Sequence, residues 1–333
     1  MRKIKIAQIG INKYSHGEPI FDTLTQFPEV FDIAGYTLVE NEREECAHLL
    51  GVFSGYPELT LEEILEDKSI EAVVIETDEV HLTKYAILAC RYGKHIHMEK
   101  PGSQSLEDFE ELIRAVKLSG KVFHTGYMYR YNPYIVELVE RVRRGELGEI
   151  HSIEAQMDCI QADKAREWLG TFRGGMMFYL GCHLIDIALT LMGKPESVSV
   201  FNKQTGNSGI FSEDYAMAVL EYKNGTAIVK SDAAELGGYA RRQIVVTGSK
   251  GTVELKPLEM RVEGKRIYDL YTDKTEYISR DWSDMGESSR REFHRYADML
   301  LAFARMVRGE IENPYTPDYE LELFKLILKC CGM

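Results

Sequence analysis

The chain has no run of about 18 consecutive apolar residues, which excludes a membrane-spanning helix. It also lacks a basic excess, because 40 Lys and Arg face 53 Asp and Glu and the net charge is −13. Such a surface does not suit nucleic acid or anionic lipid, which bind basic patches. The six cysteines include no Cys-x-x-Cys pair, and a disulfide framework is not expected in a chain of 333 residues.

The amino terminus lacks the long apolar stretch and small-residue cleavage site of a signal peptide. Residues 3–10 instead alternate in polarity as a strand does, and we expect a cytoplasmic protein. What the chain does contain, 44% hydrophobic and 28% charged residues, is typical of a soluble globular protein. Its length predicts two domains.

The first 125 residues alternate short apolar segments with helical ones. Residues 70–77 are strongly β-branched, while a capping pattern at residues 105–108 opens a helix that Gly120 ends. This alternation is typical of a parallel, doubly wound sheet. We predict strands at residues 3–10, 31–40, 70–77, 95–99 and 121–125, and helices at residues 20–27, 42–50, 61–67, 81–92 and 105–120.

The pattern changes after Gly126, where strand-like segments follow one another through hairpin signals such as Asn224-Gly225. This predicts an α+β domain on a largely antiparallel, open-faced sheet, with domains at 1–125 and 126–333. The open face favours a homo-oligomer, a dimer or tetramer. Predicted strands are 148–157, 196–201, 214–221, 226–232, 242–248 and 251–255, and predicted helices are 133–144, 181–192, 288–307 and 318–329.

The turn after the first predicted strand is a candidate dinucleotide site. Only the first glycine of a Gly-x-Gly-x-x-Gly fingerprint is present, at Gly10, and Asn12 takes the second position. Asparagine tolerates left-handed backbone angles, but its side chain crowds the approach to a pyrophosphate. Glu40 closes the second strand, where a carboxylate accepts ribose hydroxyls and repels a 2′-phosphate. This favours NAD over NADP, although the nearby Arg43 is compatible with NADP. The alternative is that Glu40 is an ordinary solvated acid at the end of a strand.

Lys100 and His183 are the candidate catalytic residues. Pro101 restricts the backbone of Lys100, whose ammonium at a strand end can polarise a carbonyl or stabilise an alkoxide. His183 follows a glycine pair at 174–175 and lies near the start of an apolar helix, with Asp186 on the same face to orient its ring. An exposed lysine and a packed core histidine are the alternatives. We expect the two side chains to converge from separate domains on one substrate hydroxyl.

Two further groups of aromatic and imidazole side chains are read as structural. Alternating tyrosines predict a strand with one aromatic face, suited to packing or to sugar stacking. No metal is expected, because the remaining histidines lack ligand spacing. These residues are Tyr127, Tyr129 and Tyr131, and His95, His97, His124 and His151.

Several segments occur together in the order and spacing of one family. The chain resembles the glucose-fructose oxidoreductase/inositol dehydrogenase/rhizopine-catabolism (GFO/IDH/MocA) family at Thr77 to His81, Glu99-Lys100-Pro101, Gly126 to Pro133 and Gly181 to Asp186. The resemblance covers nearly the whole chain. It implies a Rossmann domain, an open-faced sheet domain, an NAD(P) cofactor, and sugar or polyol substrates.

By position, the resemblance makes Lys100 the catalytic lysine and His183 the acid/base histidine. It implies that the cofactor is lined by Gly10, Ile11, Asn12, Glu40, Thr77, His81, Glu99 and Lys100. It also implies substrate contacts at Met128, Tyr129, Asp158 and Tyr239, and we add Asp186 to this group.

One departure concerns Tyr179, which stands where the family commonly has an aspartate four residues before its histidine. A phenol binds sugar hydroxyls less strongly than a carboxylate does. Tyr179 either joins in proton transfer with Lys100, or the substrate is less hydroxylated, or catalysis has been lost. The leading interpretation is an NAD-preferring sugar or polyol dehydrogenase. The alternatives are a glycoside-cleaving enzyme with recycled NAD and a non-catalytic dinucleotide-binding regulator.

Overall fold

The computed structural model describes residues 2–333, which divide into two compact units. The first comprises the chain up to Met128 together with Tyr296–Phe324, and the second comprises Tyr129–Arg295 and Lys325–Met333. The sequence had placed the boundary after residue 125 and everything beyond it in the second domain. Residues 296–324 return to the first unit because Phe324 stacks on Phe109, with 4.0 Å between ring centroids.

The first unit is built on a five-stranded parallel sheet, as predicted. Strands β1 to β5 are Ile4–Ile9, Phe31–Thr37, Ala72–Ile75, His95–Met98 and Phe123–Thr125. They lie in the order β2-β1-β3-β4-β5. Every residue of β3 is buried, as the β-branched run predicts for a strand covered on both faces. The strand order reverses between β1 and β3, and ligands of such sheets bind at the carboxyl ends beside that point.

Helices α1 to α5 of this unit are Gly17–Thr25, Glu42–Glu45, Leu61–Glu66, Leu82–Arg91 and Leu106–Ser119. The cap of α5 is the predicted one, since Ser105 Oγ accepts from the amide of Asp108 at 3.1 Å and Gly120 has a φ of +63°. The helix predicted at 42–50 is wrong beyond α2. The chain bends there and forms a short 3₁₀ turn at Leu50–Phe53. This bend lets Cys46 and Phe53 both pack with Phe21 in one buried cluster.

The second unit carries a nine-stranded sheet. Strands β6 to β14 are Ile150–Gln156, Ser197–Val200, Tyr215–Tyr222, Gly225–Asp232, Gln243–Gly248, Gly251–Leu255, Met260–Arg261, Asp269–Tyr277 and Glu287–His294. The order is β12-β13-β11-β10-β6-β9-β8-β7, and β14 pairs with β13. Neighbours are antiparallel except β6 and β9, which run parallel. The largely antiparallel sheet was predicted, but β12 and β13 were missed.

The helix predicted at residues 288–307 is wrong in its first part. Residues 287–294 form β14, which pairs along its whole length with β13, and only Ala297–Val307 is helical, as α10. Residues 287–292 are all exposed, so this strand needs no alternation of polar and apolar residues. The predicted aromatic strand at residues 127–131 is also wrong, because Met128–Tyr131 forms a 3₁₀ turn.

Helices α6 to α9 of the second unit are Pro133–Arg143, Asp163–Leu169, Cys182–Met192 and Gly238–Arg241, and the last helix, α11, is Pro317–Cys330. Residues 182–189 of α8 are all buried, and this helix contacts β6 and β9. A single π-helical turn at Met177–Gly181 precedes it.

No helix within residues 2–333 is both long and apolar enough to cross a membrane.

Candidate functional site

The loop between β1 and α1 has the close packing that a dinucleotide fingerprint requires, with a longer spacing. Gly10 has a φ of +82°, and a Cβ on it would lie 2.7 Å from Thr77 Cβ. A Cβ on Gly17, the first residue of α1, would lie 3.2 Å from Ile11 Cα and 3.2 Å from Glu76 Cβ. Gly17 therefore takes the role of the third glycine, which permits close contact between helix and strand.

Asn12 is buried and tied down by two hydrogen bonds. Its Oδ1 accepts from the amide of Tyr14 at 2.8 Å, and its Nδ2 donates to Glu79 Oε2 at 2.8 Å. Within residues 2–333, positive φ outside glycine occurs only at Glu40 and Ser208, so Asn12 does not use the left-handed angles expected for it. The side chain shapes the loop through Glu79, a partner that sequence reasoning missed.

Glu40 lies three residues beyond β2 with a φ of +52°, in the left-handed region that is costly for a side chain of this kind. Its Oε1 accepts from Lys84 Nζ at 2.7 Å and from the hydroxyl of Tyr85 at 2.8 Å. The hydrogen bonds from Lys84 and then Tyr85 lower the pKa of Glu40, which keeps it ionised. His81 Nδ1 is 3.9 Å from the same oxygen.

Arg43, whose positive charge made NADP binding compatible with the sequence, forms an ion pair with Glu58. The cation beside Glu40 is instead Lys84, which the sequence reading overlooked. A signal was available, because Lys84 and Tyr85 lie three and four residues after His81, at the start of α4.

A group of buried ionisable side chains lies at the carboxyl ends of β3 and β4. Lys100 is fully buried, and its Nζ is 3.3 Å from Glu99 Oε1. Glu76 and Glu79 are also fully buried, and neither carboxylate oxygen of Glu76 has a hydrogen-bond partner in the described part of the chain. Burial raises the pKa of all three glutamates, that of Glu79 to about 8. Glu79 therefore holds a proton near neutral pH, which removes a negative charge from this edge of the sheet.

Two buried histidines extend this group. The Nδ1 atoms of His97 and His124 are 2.7 Å apart, so one must donate and the other accept. His97 Nε2 is 3.7 Å from Glu76 Oε1. Burial lowers the pKa of His97 to about 3, so its ring is neutral at physiological pH. Each ring is thus the polar partner of the other inside the first unit, between β4 and β5.

In the second unit, His183 is the second residue of α8, directly after the π-helical turn. Its ring packs against the ring of Tyr129 in a T-shaped arrangement, with 5.0 Å between the ring centroids and an interplanar angle of 80°. Tyr179, inside that turn, is buried and makes a T-shaped contact with Trp168, with 5.2 Å between the ring centroids. Insertions of this kind in helices are frequent at functional sites.

Asp186, expected to orient His183 or contact substrate, forms a bidentate ion pair with Arg130. Arg130 Nε donates to Asp186 Oδ2 at 2.9 Å, and Nη2 donates to Oδ1 at 2.8 Å. Both side chains are at most 3% exposed. The carboxylate thus balances a buried guanidinium, which is a structural task.

The other predicted substrate contacts of the second unit surround Arg242. Its Nε donates to the backbone oxygen of Asp158 at 3.0 Å, and its guanidinium lies 4.4 Å over the ring of Tyr239. Its Nη1 also donates to the hydroxyl of Tyr129 at 3.4 Å, and that hydroxyl donates to Glu259 Oε1 at 2.6 Å. Tyr129, Asp158 and Tyr239 are therefore brought together, and through Tyr129 the group reaches His183.

Asp158 is itself buried, with Lys230 Nζ 3.0 Å from its Oδ2. The same ammonium is 2.8 Å from Glu235 Oε2. Burial, followed by the hydrogen bond with Glu235, raises the pKa of Asp158 to about 6. Tyr239 is half-exposed, whereas Met128 is buried at the end of the first unit.

Two family models match the chain. The oxidoreductase family with an NAD-binding Rossmann fold matches residues 4–127, and the GFO/IDH/MocA C-terminal domain matches residues 135–254.

The curated relatives include two dehydrogenases from Bacillus subtilis. The scyllo-inositol 2-dehydrogenase (NAD(+)) of Bacillus subtilis is 30% identical over 264 residues, 75% of this chain and 73% of the relative. The scyllo-inositol 2-dehydrogenase (NADP(+)) of the same organism is 26% identical over 241 residues, 68% of this chain and 63% of the relative. The match thus spans slightly less than two thirds of the second relative.

Among solved structures, the aldose-aldose oxidoreductase from Caulobacter crescentus complexed with glycerol has a TM-score of 0.78 at 20% identity. The alignment covers 99% of this chain and 96% of that one. At this identity the likeness is one of fold.

Proposed function

Since the chain belongs to the GFO/IDH/MocA family of oxidoreductases with an NAD-binding Rossmann fold, we propose that it transfers a hydride between NAD(P) and a sugar, inositol-like polyol or derivative. The substrate class is supported by relatives that are inositol dehydrogenases. The observation that carries the proposal is Lys100, a fully buried lysine that follows a strand of the parallel sheet at its carboxyl end.

The first unit fits a dinucleotide cofactor. Side chains at Gly10 or Gly17 would push apart the loop and strands that must hold the pyrophosphate. The ionised carboxylate of Glu40 suits the hydroxyls of a ribose, and the raised pKa of Glu79 removes a charge that would repel phosphate. Ile11, Asn12, Thr77 and His81 complete the residues that we assign to the cofactor.

When bound, the cofactor supplies the hydride acceptor or donor. The proton chemistry belongs to the chain's own residues. In the direction of oxidation, His183 takes the proton of the substrate hydroxyl as general base. Lys100 donates a hydrogen bond to the same oxygen and stabilises its developing charge. Tyr179 orients the hydroxyl or relays its proton, and Tyr129 holds the His183 ring in place.

The test is a panel of sugars and polyols followed by NADH and NADPH absorbance. On a confirmed substrate, Lys100→Met and His183→Ala should each lower kcat by about 10²-fold or more, while NADH affinity stays similar. Lys94→Met is the matched control for the lysine. Lys94 is also buried, but its Nζ donates to the backbone oxygens of Asp67 and Ile70, at 2.7 and 2.8 Å.

The control variant should lose stability and keep kcat. Unchanged kcat in Lys100→Met or His183→Ala would remove that residue from the proposal. Turnover that consumes a glycoside without net NADH release would instead support the glycoside-cleaving alternative. Dinucleotide binding without turnover on any member of the panel would support a regulatory protein. We also propose that the protein is cytoplasmic and forms a homo-oligomer. Light scattering after gel filtration measures the oligomeric state.

A further inference from the structure

The surroundings of Glu40 contain a second charged residue whose placement bears on cofactor choice. We propose that Lys84 is a specificity-determining residue, which offsets Glu40 and gives the chain a usable affinity for NADP beside NAD. This inference rests on the proposed cofactor site. It concerns the end of β2, where the fold places the adenosine ribose and, in NADP, the 2′-phosphate.

The geometry fixes which oxygen Lys84 occupies. Both Lys84 Nζ and the Tyr85 hydroxyl bond to Oε1 of Glu40, at 2.7 and 2.8 Å. Oε2 therefore keeps its capacity to accept a ribose hydroxyl, and NAD can bind without breaking either bond. The left-handed backbone at Glu40 aims the carboxylate at the start of α4, where both donors lie.

The charges around this point explain how a 2′-phosphate could be accepted. Glu40 contributes one negative charge, which alone would repel the phosphate. Lys84 contributes one positive charge, and its side chain is 63% exposed, so turning from Glu40 to a phosphate costs little. The hydroxyl of Tyr85 would still donate its hydrogen bond to Glu40. Because this hydroxyl is uncharged, it can stay with Glu40 while Lys84 pairs with the phosphate. The amino-terminal end of α4, a helix of 10 residues, also favours an anion.

Arg43 does not offset the charge of Glu40 in the same way. Its ion pair is with Glu58, whereas Lys84 is paired with Glu40 itself. Among the ion pairs of the described residues, the partners of Glu40 are Lys84 and His81. Lys84 is therefore the cation whose removal should alter the choice between the two cofactors.

The experiment measures the dissociation constants of NADH and NADPH by nucleotide fluorescence or calorimetry, without substrate. Lys84→Met should weaken NADPH binding by about fivefold and leave NADH within about twofold. Lys84→Arg should retain NADPH binding, because it keeps the charge. The control is Lys117→Met, which removes a similarly exposed lysine that pairs with Asp318.

Raising the salt concentration should reduce NADPH affinity in the wild type more steeply than in Lys84→Met. The variant lacks the ion pair between Lys84 and the 2′-phosphate, which is the interaction that salt screens. Equal changes for both nucleotides in Lys84→Met, or no change for either, would overturn the inference and leave the cofactor site intact. A wild-type protein that binds neither nucleotide would overturn the proposed function, and the inference with it.

Discussion

Glu79 should make the stability of the first unit fall as pH rises. Its carboxyl group is fully buried and accepts one hydrogen bond, from Asn12 Nδ2, at Oε2. Burial raises its pKa from 4.5 to about 8. Between these values the unfolded chain releases the proton while the folded chain keeps it, so folding becomes less favourable with each step in pH. Below pH 4.5 both states are protonated and the penalty disappears.

The size of the penalty follows from the gap between the two pKa values. At about 1.4 kcal/mol for each pH unit, the gap corresponds to at most about 5 kcal/mol once the pH exceeds 8. Water entry and local relaxation reduce the cost of a buried charge, so we expect roughly 2–4 kcal/mol.

The perturbation is Glu79→Gln, which keeps an oxygen acceptor for Asn12 and removes the ionisation. The wild type should lose stability between about pH 5 and about pH 8.5, and the variant should lose less of it. Urea unfolding at several pH values measures this. Hydrogen exchange of α4 and β3 assigns the change to the first unit if the two units unfold separately.

Glu66→Gln provides the matched control, because it removes an exposed carboxylate from the same unit. It should change stability by less than about 0.5 kcal/mol at any pH. If the wild type and Glu79→Gln gave parallel curves against pH, burial would not be controlling the charge of Glu79, and the argument for a protonated group at this edge would fail.

Two further predictions concern packing. Asp186→Ala leaves the buried Arg130 without its counter-charge and should destabilise the second unit by about 3–5 kcal/mol in urea unfolding, whereas Asp273→Ala, which breaks a more exposed ion pair, should cost less than about 1 kcal/mol. Equal losses would mean that burial of the first pair is unimportant. Gly17→Ala should weaken NADH binding about tenfold, because its Cβ would press on the loop after β1. Gly51→Ala is its control, since a Cβ there meets no atom of the described residues within 4 Å outside its own stretch of chain. Similar effects of both changes would contradict the role given to Gly17.

Local patterns predicted most of the regular elements. The β-branched run at residues 72–75 and the capping residues Ser105 and Gly120 carry enough information in a few neighbouring positions. The failures lie where local information is weak. Strand β14 is charged and exposed, so neither period nor hydrophobicity distinguishes it from a helix, and its pairing with β13 decides its conformation.

The candidate site shows the same division. The sequence singled out Lys100, Glu40 and His183 because each lies next to the end or the beginning of a recognisable element. The structure adds the partners of each side chain. Gly17 was overlooked because the loop is longer than the usual fingerprint. Glu79 lies between two positions that were assigned, Thr77 and His81, but a glutamate in a loop is ordinarily exposed.

The sequence by itself determined the parallel sheet, the family and the identities of the candidate lysine and histidine, because these depend on residue types at short and regular spacings. Only the tertiary structure decided the charge of Glu79, the partners of Glu40 and the pairing of Asp186 with Arg130. Each of these depends on burial and on contacts between residues that lie 44 to 67 positions apart along the chain.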